Sequence, residues 1–141
     1  MPIMSTNSKD FLDLYANALN TFDPQIMASL CLPPTIIMND KSKKIMTSKE
    51  DLEQMFSRMF TRFNQAGVKQ FVPQLQQTLH LSDTLLFLKM RWQFYNENKQ
   101  LCFGCATSYT LQKTPDNQLK VIVMIIDDDE NKLAKILNRA E

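Results

Sequence analysis

Glycine is almost absent. Gly67 and Gly104 are the only two in 141 residues, so neither the dinucleotide-binding nor the P-loop type of glycine-rich phosphate loop can be built, and nucleotide chemistry by those routes is excluded. Histidine occurs once, at His80. That rules out a two-histidine metal site and leaves at most one imidazole base. Three cysteines, Cys31, Cys102 and Cys105, are an odd number, and the opening MPIMSTNSKD has no basic region followed by an apolar stretch. Neither a disulfide framework nor a secretory signal is expected. The longest aliphatic run, Val121 to Ile126, is far too short to span a bilayer. Net charge is close to zero, because 16 basic residues stand against 15 acidic ones spread along the chain. No footprint for nucleic acid or an anionic membrane results. The expectation is a soluble, cytoplasmic protein with no nucleic acid or membrane partner and no cofactor.

What is present is a substantial core. With 44% hydrophobic residues, a chain of this length buries roughly two-thirds of its unfolded surface, and one domain over residues 1–141 is the economical reading. The organising stretch runs from Leu85 to Leu111. Lys89, Arg91 and Gln93 alternate with Met90, Trp92 and Phe94, the two-residue period of a strand with one wet and one buried face. The polar turn Asn96 to Lys99 makes it a long antiparallel hairpin, and the single tryptophan, Trp92, lies on its buried face.

Before it, Phe11, Leu12, Tyr15, Ala18, Leu19 and Phe22 recur at helical spacing behind Ser8, which is available as an N-cap. Asp23-Pro24 opens a short second helix that Pro33-Pro34 cannot continue. Thr35 to Met38 reads as a strand, hairpinned with Lys44 to Met46. Thr47 to Glu50 has the capping-box spacing, and Leu52, Met55, Phe56, Met59, Phe60 and Phe63 form the apolar stripe of a third helix ending at Gly67. Val68 to Leu81, the hairpin, and Leu119 to Ile126 then give four antiparallel strands in a row. A short closing helix is expected over 130–139.

The fold class is therefore α+β, with N-terminal helices covering one face of a curved antiparallel sheet in the order α-α-β-(β)-α-β-β-β-β. Tyr15 in helix one, Asp23-Pro24, the Thr35 to Asp40 strand and turn, Thr47 to Leu52 and the Trp92 strand make the chain resemble the nuclear transport factor two-like superfamily. This is the cone-shaped fold shared with ketosteroid isomerases and polyketide cyclase-like proteins. The resemblance spans about residues 8–127. It implies an apolar cavity inside the cone and homodimers through the outer sheet face.

Each candidate for chemistry carries a plainer reading. Cys102 and Cys105 have C-x-x-C spacing, but three residues apart on a strand they point to opposite faces, so buried structural thiols are favoured over a metal site. His80 falls in register with Gln74, Gln76 and Thr78 on the more polar face of its strand and reads as a surface or interface residue, not a catalytic one. The acidic run Asp127 to Glu130 reads as a solvated helix cap, and Lys41, Lys43 and Lys44 as solvated hairpin lysines. The resemblance aligns Tyr15 with the oxyanion-stabilising tyrosine of ketosteroid isomerases and Asn39 or Asp40 with their general base. A phenol and a carboxylate across an apolar cavity suit proton abstraction next to a carbonyl. Two departures stand against that: Asp40 lies in the polar stretch Asn39 to Lys44, and the family's second oxyanion acid is replaced by Thr107 or Tyr109.

Three functions follow, in order of preference. The first is a homodimeric binder of a small apolar or aromatic molecule, without catalysis, its pocket lined by Leu19, Met55, Phe56, Met59, Trp92, Phe94 and Tyr109; nine methionines favour such an adaptable lining. The second is an isomerase, cyclase or dehydratase using Tyr15 and Asp40. The third is a protein association domain.

Overall fold

The computed structural model describes residues 7–127. Three helices are each started by a side chain that satisfies an orphan backbone N–H. α1 (Ser8–Asn20) is capped by Asn7, which accepts from the Asp10 N–H at 2.9 Å. α2 (Pro24–Ser29) is capped by Asp23, with Pro24 where no N–H is needed. α3 (Lys49–Gln65) is capped by Ser48, which accepts from the Asp51 N–H. Two of these caps sit one residue from the positions read from spacing, Asn7 instead of Ser8 and Ser48 instead of Thr47. In each pair both neighbours are good cap residues, and the one chosen is the one whose oxygen reaches the third helical N–H.

α1 and α3 end alike. Gly67, at φ +81°, follows the last turn of α3, with the Gly67 and Val68 N–H groups bonded back to the Asn64 and Phe63 carbonyls. α1 closes through the same pair of bonds, Phe22 to Leu19 and Asp23 to Ala18, but there the left-handed position is held by Phe22, at φ +52°. The strain is offset because the Phe22 ring packs 5.2 Å from Phe60 and 5.6 Å from Phe71.

Among the described residues, six strands form one curved, unclosed sheet: β1 (Cys31–Met38), β2 (Lys43–Met46), β3 (Gln70–His80), β4 (Leu85–Tyr95), β5 (Leu101–Lys113) and β6 (Leu119–Asp127). Their spatial order is β2-β1-β6-β5-β4-β3. The antiparallel sheet read from the sequence is corrected at one place, where β1 pairs with β6 in parallel because the final strand lies between β5 and β1. β1 also starts earlier than the Thr35 expected. It takes in the cis-bonded Pro33-Pro34, and its register shifts between Cys31 and Ile36, where prolines have no N–H to give the ladder.

A second correction concerns His80. A bulge between Leu75 and Gln77 changes the phase of β3, so Gln74 lies opposite Arg91 on the outer face while Thr78 and His80 lie opposite the inward Leu88 and Leu86. Gln74 and His80 therefore face opposite ways, and His80 remains exposed. On the outer face, Gly104 is not bare, since a side chain there would come within 3.2 Å of the Arg91 guanidinium. At the edge, Asn20 does the work of a neighbouring strand. Its amide accepts from the Phe71 N–H at 2.8 Å and donates to the Phe71 carbonyl at 3.0 Å, tying α1 to β3.

Aromatic rings fill much of the space between helices and sheet. One cluster joins Phe11, Tyr15, Trp92 and Tyr109, and a second joins Phe22, Phe60, Phe63, Phe71, Phe94 and Phe103, with neighbouring centroids 4.5 to 6.4 Å apart. The helix expected over 130–139 and the acidic run from Asp128 onward lie outside the described residues.

Candidate functional site

A cavity of about 340 Å³ lies beside these clusters, not within them. Three elements make its wall. α3 contributes Met55, Met59 and Phe63 at four-residue spacing, with Arg58 and Arg62 one position before Met59 and Phe63. The β1–β2 hairpin contributes Ile37, Met38, Asn39, Ser42, Lys44 and Met46, and β6 contributes Ile126. The hairpin tip is held by Asn39, whose side-chain oxygen accepts from the Lys41 and Ser42 N–H groups at 2.8 Å each. The floor is apolar and methionine-rich. Among the described residues, every charged group on the wall is a cation: Lys44, Arg58 and Arg62.

Of the residues read from the sequence as site candidates, Met55 and Met59 stand on this wall. Leu19, Phe56, Trp92, Phe94 and Tyr109 are buried core residues and do not line it. The physical reason is that α3 carries two stripes. Leu52, Phe56 and Phe60 are buried in the core, Met55 and Met59 lie to one side of them and only partly buried, and Phe63 belongs both to the core and to the cavity wall.

Tyr15 and Asp40 do not share a cavity. Tyr15 is 3% exposed, with ring centroids of Phe11, Tyr109 and Trp92 5.1 to 5.8 Å away, whereas Asp40 is exposed in the hairpin turn. Of the turn residues, Asn39 and Ser42 reach the cavity. Around Tyr15 the polar groups satisfy one another. The Trp92 indole donates to the Tyr109 hydroxyl at 3.0 Å, and Tyr15 and Thr107 also hydrogen-bond Tyr109. Burial pushes the Tyr15 phenol well above its ordinary range, with the nearby Tyr109 adding to it, and burial likewise raises Tyr109. Neutral phenols buried this way can donate hydrogen bonds but cannot serve as bases near neutral pH.

The thiols divide as strand alternation requires. Cys105 is buried and Cys102 half-buried on the other face. Burial pushes the Cys31 thiol up to about 12, against a small opposing pull from Lys120. No group of three or more potential metal ligands occurs among the described residues. No described helix is long and apolar enough to cross a membrane.

Reading alone would not have found Lys44, Arg58 and Arg62 as cavity residues. The available signal was faint: two arginines four apart on α3, each without a carboxylate three or four residues away.

The family of the chain is settled by residues 6–129, which match the model described as NTF2-like protein (DUF6841). The chain belongs to this NTF2-like family. No curated protein matches it. Among solved structures, this NTF2-like chain is similar to an NTF2-like protein of unknown function from Shewanella oneidensis, at TM-score 0.69 and 11% identity over 85% of this chain and 95% of that one. It is also similar to a ketosteroid isomerase-like protein from Erwinia carotovora, at TM-score 0.64 and 12% identity over 84% and 91% of the two chains. A third similar structure, from Xanthomonas campestris, is described as a calcium/calmodulin dependent protein kinase II association domain, with TM-score 0.62 and 15% identity over 90% and 96%. At these identities the likeness is one of fold.

Proposed function

We propose that this NTF2-like protein binds a small apolar or aromatic molecule between α3 and the β1–β2 hairpin, without catalysing a reaction on it. The observation that carries the reading is the cavity of about 340 Å³ floored by Ile37, Met55, Met59, Phe63 and Ile126, within the size range of small-molecule sites. Methionine side chains adapt to ligands of different outline. An enzyme working through Tyr15 and Asp40 gains no support from their placement, since the phenol is enclosed by rings and the carboxylate is in solvent. The test is Met59→Trp, which places a large ring in the cavity. Titration of small aromatic compounds by calorimetry should give binding to the parent protein and none to the variant. Absence of binding to the parent across a varied library would leave the association-domain reading as the better one.

A second copy of the chain is the proposed cover for the outer sheet face. Val123 and Ile125 of β6 lie there opposite Thr110 and Ser108 of β5, and Ile125 is 41% exposed. A two-fold dimer would bury this apolar strip. Light scattering at micromolar concentration should give twice the chain mass; a monomer mass overturns it.

A further inference from the structure

We propose that the ligand of this cavity is an anionic amphiphile: an apolar body on the methionine floor and a carboxylate or phosphate group held by Arg58, Arg62 and Lys44. This rests on the binding reading above and names its ligand class.

Arg58 and Arg62 are one turn apart on α3, where like charges repel. Neither has a carboxylate at three or four residues along the helix: those positions hold Gln54, Met55, Thr61, Met59, Gln65 and Ala66. The acidic residues of α3, Glu50, Asp51 and Glu53, lie nearer its start. A cation in the last turn complements the helix dipole, which accounts for Arg62 but not for Arg58. Lys44 comes from a different element, on β2 opposite Ile37, and still faces the same space. The described wall holds no carboxylate to balance the three. Solvated cations scattered on a surface would not converge from two elements onto one apolar hollow.

The geometry also sets the ligand's outline. Guanidinium forks suit carboxylate and phosphate oxygens. A volume of 340 Å³ corresponds to roughly eleven waters of the bulk liquid, the scale of a two-ring aromatic acid. Cations on a partly open rim bind an anion in a salt-dependent way.

Calorimetric titration with four matched probes tests this: 2-naphthoate, 2-naphthyl phosphate, neutral 2-naphthalenemethanol and cationic 2-naphthylmethylammonium. At low salt one of the two anions should bind about tenfold more tightly than the alcohol, the sum of three modest exposed-pair contributions, and the ammonium should bind least. The tighter of the two anions names the head group. In Arg58→Gln/Arg62→Gln, with an unchanged thermal midpoint, the anion's advantage should fall to the roughly twofold share left to Lys44 while the alcohol binds as before. If anion and alcohol bind equally, the anion site is overturned and the apolar pocket stands. If no probe binds, the pocket itself falls. The sequence continues from Ile126 into Asp127-Asp128-Asp129-Glu130, so Asp128→Asn/Asp129→Asn/Glu130→Gln is the remaining control. It should bind the anions at least as tightly as the parent; anion binding seen only in that variant would assign the three cations to the chain's own acidic segment and overturn the proposal.

Discussion

The indole N–H of Trp92 donates to the phenol oxygen of Tyr109 across 3.0 Å, joining β4 to β5 through side chains as well as through the ladder. Both residues are about 2% exposed, so neither polar group has water as an alternative partner. Tyr109→Phe keeps the ring and deletes the acceptor, leaving a buried donor unpaired at a cost of about 1–3 kcal/mol. The thermal midpoint should fall by on the order of 4 °C per kcal/mol. Because the chain has one tryptophan, its single indole N–H resonance should also move. An unshifted resonance in a variant of unchanged stability would show that the bond contributes nothing.

Alkaline pH should destabilise the protein through three buried groups that act in the same direction. Cys31 ionises at about 12 when folded, against an ordinary value of 9.0, and Tyr15 and Tyr109 are raised above 10.0. A raised folded value means the unfolded chain loses its proton first. The contribution is complete below about pH 9 and is lost as pH rises towards the folded values. Thermal midpoints measured from pH 8 to 11 should decline, and the decline should be shallower in Tyr15→Phe and in Cys31→Ala. Equal slopes in all three proteins would rule out these groups as the cause.

Thiol reactivity should follow exposure. Cys102 is half-buried, whereas Cys31 and Cys105 are 5% and 2% exposed. At pH 8 an aromatic disulfide reagent should modify one thiol of the folded protein, lost in Cys102→Ser, and all three after denaturation. Rapid modification of three thiols under native conditions would contradict the packing around β1 and β5.

The two left-handed helix ends should both lose stability on substitution, for different reasons. Gly67 has open space where a side chain would stand, so Gly67→Ala tests the backbone alone and should cost about 1 kcal/mol. Phe22→Gly relieves a similar backbone strain but removes a ring packed on Phe60 and Phe71, worth about 2–3 kcal/mol, for a net loss. Chemical denaturation measures both. A stabilised Phe22→Gly would mean the ring contributes less than the strain it imposes.

Asn20→Ala should cost about 1–2 kcal/mol, because it leaves the Phe71 N–H and carbonyl without their partners on the edge strand. Hydrogen exchange at Phe71 is the direct readout. Protection there should drop while that of β5 persists.

Periodicity made most of the elements legible. The stripe from Leu52 to Phe63 and the alternation from Lys89 to Phe94 are local patterns, and each produced the element it implies. The parallel β1–β6 neighbours were not legible, because pairing between strands some 90 residues apart leaves no mark in either one. Nor was the bulge at Gln76, where no glycine or proline announces a change of phase. The cavity is a tertiary fact of the same sort. Met55 and Phe56 are adjacent and similarly apolar, and only the way the sheet packs against α3 decides that one faces a hollow and the other the packed core. Arg58 and Lys44 look in the sequence like any solvated cations, and their convergence exists only after α3 and the β1–β2 hairpin have come together.

The sheet order carries a consequence for biosynthesis. The β1–β2 hairpin, with half of the cavity wall, joins the sheet only through β6. A ribosome emitting this chain releases β1 early, but the strand that receives it emerges last, after β3, β4 and β5 have had time to form their meander. Throughout that interval the edge of β1 that will pair with β6 has no strand beside it. The cavity wall, assembled from early and late segments, is complete only once Ile126 of β6 has been made.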